Sequence, residues 1–114
     1  MPQLLKFPSF QDHRGSLTVI EKILPFSIQR VYYLYKTNTN SRAGHCHREA
    51  QQALICLHGN CTVYVRSHDD FLLDCPSQGL LLAPGDWHSI QFEPYSILLV
   101  LASHAYNPDD YIYD

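Results

Sequence analysis

An all-β fold is predicted by three features of this 114-residue chain. It breaks into short runs rich in Val, Ile, Leu, Tyr and Phe. The runs are separated by Gly, Pro and Asn clusters, and no stretch repeats apolar residues at i, i+3, i+4 and i+7 long enough for a substantial helix. About eight short strands in one small domain must hide their edges, which a jelly roll or a closed barrel does. Either architecture gives a cup with a mouth.

Taken in order, Leu17 to Glu21 reads as a first strand closed by Leu24-Pro25-Phe26, and Gln29 to Lys36 as a second, rich in Val and Tyr. The polar loop Thr37-Asn38-Thr39-Asn40-Ser41 leads into Ala43-Gly44-His45-Cys46-His47. Gln52 to Leu57 and Cys61 to Arg66 then flank His58-Gly59-Asn60, which reads as a hairpin because Gly-Asn in a two-residue loop suits a type II′ turn. Phe71 to Asp74, Gly79 to Ala83, Ser89 to Phe92 and Ile97 to Ala102 complete the set, divided by Pro76-Ser77, Pro84-Gly85-Asp86 and Glu93-Pro94. The tail from Pro108 is too short for an element of its own and is expected to pack on the barrel or fray.

The length fits one domain over residues 1–114, and 46% apolar against 17% charged residues supplies a core. Eight Lys and Arg against eleven Asp and Glu leave a net charge of −3, the wrong sign for gripping nucleic acid through its phosphates. An anionic ligand would need a local Arg cluster. Neither a long apolar leader segment nor a run near the ~20 residues of a membrane span is present, so a soluble, cytoplasmic protein without a membrane partner is expected. Cys46, Cys56, Cys61 and Cys75 form no C-x-x-C pair, which argues against a zinc knuckle or a thioredoxin-type motif and for free thiols. The sequon Asn60-Cys61-Thr62 falls in the apparent hairpin and reads as coincidence.

The densest chemistry is Arg42-Ala43-Gly44-His45-Cys46-His47-Arg48, in a chain whose seven His are many for its length. Side chains two apart on a strand share a face, so His45 and His47 point the same way and Cys46 the opposite way. A lone His would more readily be a satisfied core residue; a facing pair flanked by Arg42 and Arg48 favours function. After this pair come Gln52 and Gly59, and further on Gly79, Pro84, Gly85 and His88. This spacing resembles the two sequence motifs of the cupin superfamily, with Gln52 in place of the usual Glu and the second motif one residue shorter. The resemblance implies a cupin-type jelly roll or small β-barrel of antiparallel strands with little helix. In metal cupins, two His, the Glu and a later His hold a divalent ion. A neutral amide at Gln52 removes the anionic ligand, so no metal and no organic cofactor are expected.

A narrower resemblance runs from Arg14 to Ile112. Arg14-Gly15-Ser16-Leu17, Pro25-Phe26-x-Ile28-x-Arg30-Val31-Tyr32-Tyr33, Arg42-x-x-His45-x-His47, Gln52-x-Leu54-Ile55-Cys56, Gly59-x-Cys61, Trp87-His88, Leu99-Val100-Leu101-Ala102-Ser103 and Asp110-Tyr111-Ile112 are similar in order and spacing to the WxcM-like nucleotide-sugar 3,4-ketoisomerases. These are small cupins acting on dTDP-4-keto-6-deoxyglucose. Departures are Ala43 for Gly, Cys46 for Ala, Arg48 for Lys, and the lack of the usual helical tail. Moving a ketone from C4 to C3 needs a base for the acidic C3 proton and its return at C4 through an enediolate. Histidine, unperturbed near ~6.5, suits that task.

His45 is assigned as the base and His47 as the partner that hydrogen-bonds or protonates the oxyanion, the pair being firmer than the order. Arg14, Arg30 and Arg42 are candidates for the diphosphate. Tyr32, two residues from Arg30, could stack on thymine or bond the sugar, and Gln52 could bond a sugar hydroxyl or satisfy His47. Within the family, Arg at the position of Arg14 and His at that of His88 accompany the galacto product, so a dTDP-3-keto-6-deoxygalactose is expected. Asp12 and Asp86 are assigned to turns, His13, His58, His68 and His104 to solvent, and Tyr106, Tyr111 and Tyr113 to packing of the tail. A homodimer, with an exchanged N-terminal strand, is the family expectation. Two other readings stand beside the isomerase: a metal-dependent cupin such as an oxygenase, using His45, His47, Gln52 and His88, and a non-catalytic sugar-nucleotide-binding module.

Overall fold

The computed structural model describes residues 1–40 and 42–113, together with the backbone but not the side chain of Ala43. Ser41 of the expected polar loop and the Ala43 side chain therefore lie outside the described residues. The elements are β1 (Gln3–Lys6), β2 (Ser9–Asp12), β3 (Gly15–Thr18), β4 (Arg30–Leu34), β5 (Arg42–His47), β6 (Gln52–His58), β7 (Cys61–Val65), β8 (Asp70–Leu73), β9 (Gln78–Leu82), β10 (His88–Phe92), β11 (Ile97–Ala102), a 3-10 turn at Pro108–Asp110, and β12 (Tyr111–Tyr113). All strand pairs are antiparallel. The fold is the all-β cupin-type jelly roll: one sheet in the order β1-β9-β6-β11-β4 faces another in the order β12-β5-β10-β7-β8, and β2-β3 stands apart as a two-stranded arm.

Period-two patterning explains the layers. On β6, Leu54 and Cys56 enter the core between the sheets, while Ala53 and Ile55 face outward. The outward row is not solvated, because Phe7, Ile20, Leu24 and Phe26 lie over it. That second cover is why the Gln52–Leu57 run is apolar at successive positions rather than alternating. The inner core is Leu54, Cys56, Cys61, Val63, Val65, Leu73, Leu80, Leu82, Ile90, Phe92, Leu98 and Val100.

Several boundaries differ from the sequence reading. Leu17 to Glu21 shortens to β3, Gly15–Thr18, which pairs with β2. β1 and β2 were not anticipated, since Gln3–Lys6 and Ser9–Asp12 are short and largely exposed. Gly59-Asn60 does join two strands, but they are not a hairpin. β6 pairs with β9 and β11, whereas β7 pairs with β8 and β10, so the link crosses from one sheet to the other. Ser96 clamps this crossover: its Oγ accepts from Asn60 N at 3.1 Å and donates to Asn60 O at 2.8 Å. Gly59, at φ 76°, has Ser96 Oγ only 2.4 Å from where a Cβ would stand, so no larger residue fits. The tail packs on the barrel and also forms a strand, β12, in register Tyr111↔His47, Ile112↔Cys46 and Tyr113↔His45.

Candidate active site

One end of the sandwich is filled by Leu73, Phe92 and Leu98, and the other opens into a cavity of about 440 Å³. Leu34, Leu54, Ile90 and Val100 line its depth. Arg30, Tyr32 and Gln52 line it from one sheet, and Arg42, His45, His88, Tyr111 and Tyr113 from the other.

Local backbone geometry brings Arg42 and His45 to the same wall. Strict alternation would put residues 43, 45 and 47 on one face and Arg42 on the other. The ladder between β5 and β10 pairs His88 with His45 but Ser89 with Ala43, leaving Gly44 as an extra residue at φ 85°. This bulge reverses the parity of the strand, so Arg42 and His45 both reach the cavity. A positive φ is the position a glycine fills without steric cost.

His45 Nε2 lies 3.2 Å from His47 Nε2, and the rings meet nearly edge to face at 73°. His45 is on the cavity wall; His47, 5% exposed, stands behind it. The expectation that both rings front the open space therefore holds for His45 alone. The reason is the tail: His47 Nδ1 donates to Asp110 Oδ2 at 2.8 Å, which draws the ring towards the 3-10 turn, and the Tyr111 ring lies 4.5 Å away. Burial, with His88 and His47 as positive-charge competitors, pushes the His45 pKa down from 6.5 to about 4, so its ring is a free base at neutral pH. His88 is also held below its ordinary value, chiefly by burial; its Nδ1 donates to the Asp86 carbonyl at 3.0 Å.

The binding candidates divide in the same way. Arg30 donates to the Tyr111 hydroxyl at 3.2 Å and lies 4.3 Å over the Tyr32 ring. Gln52 does not satisfy His47; its amide donates to the Tyr32 hydroxyl at 3.2 Å. Burial raises the Tyr32 pKa, so its phenol keeps its proton. Arg14 is the exception. It sits at the tip of the β2–β3 arm, bonded to Asp12 at 2.7 Å, and does not line this cavity. The arm borders a larger open hollow of about 660 Å³ between Phe10, Asp12, Arg14 and Leu17, which holds no imidazole.

Three residues of the tail belong to the site that the sequence reading gave to packing or left without a role: Asp110, Tyr111 and Tyr113. Tyr111 and Tyr113 line the cavity because β12 extends the β5 edge and sends alternate side chains inward. The Tyr-Ile-Tyr alternation was the available signal. Asp110 Oδ1 accepts from Glu49 N at 2.8 Å while Oδ2 accepts from His47. Burial works to raise its pKa, but these bonds and those with the neighbouring backbone hold the carboxyl below its usual range. Among the described residues, no group of three or more His, Cys, Asp or Glu side chains is arranged to hold a metal ion.

Comparison with known proteins shows the family to which the chain belongs. The chain is 38% identical, over 96% of its length and 84% of the relative's, to a TDP-4-oxo-6-deoxy-alpha-D-glucose-3,4-oxoisomerase from Aneurinibacillus thermoaerophilus. A 3,4-ketoisomerase from Helicobacter canadensis superposes with a TM-score of 0.95 at 37% identity, covering 99% of this chain and 90% of the other. The sugar 3,4-ketoisomerase QdtA from Thermoanaerobacterium thermosaccharolyticum, solved in complex with TDP, gives 0.91 at 36%, covering 99% and 88%. The profile of the family FdtA, WxcM-like, C-terminal, matches residues 1–114, and the chain belongs to that family.

Proposed function

We propose that this protein is a sugar-nucleotide 3,4-ketoisomerase that converts dTDP-4-keto-6-deoxy-D-glucose to a dTDP-3-keto-6-deoxyhexose. The observation that carries this reading is the His45–His47 pair, 3.2 Å apart, with His45 on the wall of a cavity that also holds Arg30 and Arg42. The names of the relatives support the substrate class.

Arg30 and Arg42 bind the diphosphate, whose two negative charges suit guanidinium forks. His45 removes the C3 proton, made acidic by the neighbouring C4 carbonyl, and returns a proton to C4 after the enediolate has formed. Base catalysis of this kind contributes roughly 10²–10⁴ in rate. His47, expected to meet the developing oxyanion directly, reaches the cavity only through His45. Donors on the wall, the Tyr32 and Tyr111 hydroxyls, are placed to meet oxygen instead. The reaction needs no electron carrier, because the C4 carbonyl is reduced as C3 is oxidised within one molecule.

One base working on the α face takes the C3 hydrogen of a gluco chair and delivers to C4 from the same side, giving the galacto product. His88 on the cavity wall supports that outcome. Arg14 supports it only if it reaches a cavity other than its own. The arm suggests how: Phe10 and Leu17 are 63% and 59% exposed, and Val31 and Tyr33 on β4, with Tyr35 just beyond it, are 56–60% exposed. A homodimer that covers these surfaces would bring Arg14 of one copy towards the other, and sedimentation velocity would find a dimer. A nucleotide-sugar substrate supports a cytoplasmic location for the enzyme, read as one domain over residues 1–114.

Incubation with dTDP-4-keto-6-deoxyglucose, followed by proton NMR, tests the reading. Loss of the 4-keto substrate and growth of a 3-keto sugar with galacto configuration at C4 is the expected result. No conversion would overturn the activity, a gluco C4 would overturn the stereochemical proposal, and a requirement for added divalent metal would favour the metal-cupin alternative.

A further inference from the structure

Asp110 lies outside the cavity, yet two contacts fix its orientation: Oδ1 accepts from Glu49 N, and Oδ2 accepts from His47 Nδ1, both at 2.8 Å. The ladder between β12 and β5 sets this placement, because Tyr111 pairs with His47 and the Asp110 carbonyl accepts from Arg48 N at 2.8 Å. A carboxylate has no proton to give, so the hydrogen in the 2.8 Å bond belongs to His47 Nδ1. Neutral His47 then carries its lone pair on Nε2. His45 Nε2, 3.2 Å away, must be the donor, and the lone pair of His45 is left on Nδ1.

We propose that Asp110 is a positioning residue for the isomerisation, setting the tautomer of His47 and, through it, the nitrogen on which His45 acts as base. The inference rests on the ketoisomerase reading of the site. In the first step the C3–H bond breaks, its electron pair forms the C3–C4 double bond of the enediolate, and the proton joins His45 Nδ1. His45 then passes its Nε2 proton to His47 Nε2. The positive charge comes to rest on an imidazolium beside the Asp110 carboxylate rather than on the His45 ring, whose neighbours are the imidazoles of His47 and His88. The return path reverses both transfers: the Nδ1 proton bonds to C4 while the O3 hydroxyl proton passes to O4 as the carbonyl forms at C3, so protons and electrons balance and no co-reactant is consumed. The Asp110 carboxylate thus stands where the charge that leaves His45 arrives.

Asp110→Asn tests this, because the amide can keep its oxygen on Glu49 N and present N–H to His47 Nδ1. That contact forces the hydrogen of His47 onto Nε2, makes His45 accept at Nε2, and blocks His45 Nδ1. The expected result is a fall in kcat of about 10²–10⁴-fold, with KM and dTDP affinity changed less than about threefold. In ¹⁵N NMR the His47 Nδ1 resonance moves from the protonated to the unprotonated position. Asp110→Glu, which keeps the carboxylate, recovers part of the rate. Asp110→Asn turnover within about threefold of the parent protein, or a lost rate with the His47 tautomer unchanged, would overturn the proposal. If the variant does not fold, ¹⁵N NMR of the parent protein decides, and an unprotonated His47 Nδ1 there refutes it. Failure of the parent protein to convert the ketosugar would instead count against the ketoisomerase reading, since the tautomer measurement needs no substrate.

Discussion

The two ends of the barrel are built from the same strands and have opposite chemistry. Going inward along one face, β4 reads Arg30, Tyr32, Leu34; β6 reads Gln52, Leu54, Cys56; and β10 reads His88, Ile90, Phe92. In each row the polar groups stand at one end, the Tyr32 hydroxyl beside Arg30 on β4 included, and the last residue is apolar. At the deep end, Phe92, Leu98 and Leu73 are at most 2% exposed and held only by packing. At the mouth, Gln52 and His88 are just as buried, but each has a hydrogen-bond partner. Burying a polar group without a partner costs on the order of 1–3 kcal/mol, so these side chains are tolerated only because the site organises them. One end serves stability and the other gives up apolar packing for chemistry.

That division can be broken from either side. His45→Asn should lower kcat by about 10²–10⁴-fold while leaving dTDP binding and the melting temperature close to the parent values, as steady-state kinetics, calorimetry and thermal unfolding would show. Phe92→Ala should do the reverse. Emptying that site costs about 3–5 kcal/mol of stability and lowers the melting temperature by roughly 4–8 °C per kcal/mol, while kcat of the folded fraction stays near the parent value. If Phe92→Ala abolished turnover without unfolding the chain, the two ends would not be separable. A smaller effect is expected from Arg30→Ala. It removes a charge-assisted contact worth about 1.5–3 kcal/mol and so weakens dTDP binding by about 10–100-fold, measured calorimetrically.

The smallest expected effect is on the pH profile. Because the His45 pKa lies near 4 rather than 6.5, kcat/KM per folded molecule should stay nearly level from neutral pH to about pH 5 and fall only near 4. Stability behaves differently over the same range. The unfolded chain takes up the His45 proton near 6.5 and the folded chain only near 4, so folding weakens as pH drops through that window and is fully supported above it. An acid limb centred near 6.5 would show that the site does not disfavour a charged ring.

Much of the site was legible because strand alternation is a local rule. Arg30 with Tyr32, and His45 with His47, are two apart, and each pair does fall on one side of its strand. What escaped depends on partners distant in the chain. The Gly44 bulge is visible only once β5 is set against β10, and without it Arg42 has no predictable face. Gly59-Asn60 has the residues of a hairpin turn, but whether the chain turns back or crosses depends on which sheet each strand joins. Asp110 could not be linked to His47 across 63 residues by any local pattern. Arg14 was named as a guanidinium for the diphosphate and through the family resemblance, and the fold puts it on an arm, where it is bonded to Asp12.

The central claim is that His45 carries the proton between C3 and C4, and isotope exchange tests it most directly. In deuterated water with dTDP-4-keto-6-deoxyglucose, the proton held on His45 exchanges with solvent from the open cavity before it is returned, so the parent protein should place deuterium at C4 of the product and at C3 of recovered substrate. His45→Asn, still binding dTDP, should do neither at a comparable rate. Exchange at C3 proceeding at the parent rate in His45→Asn would contradict the account.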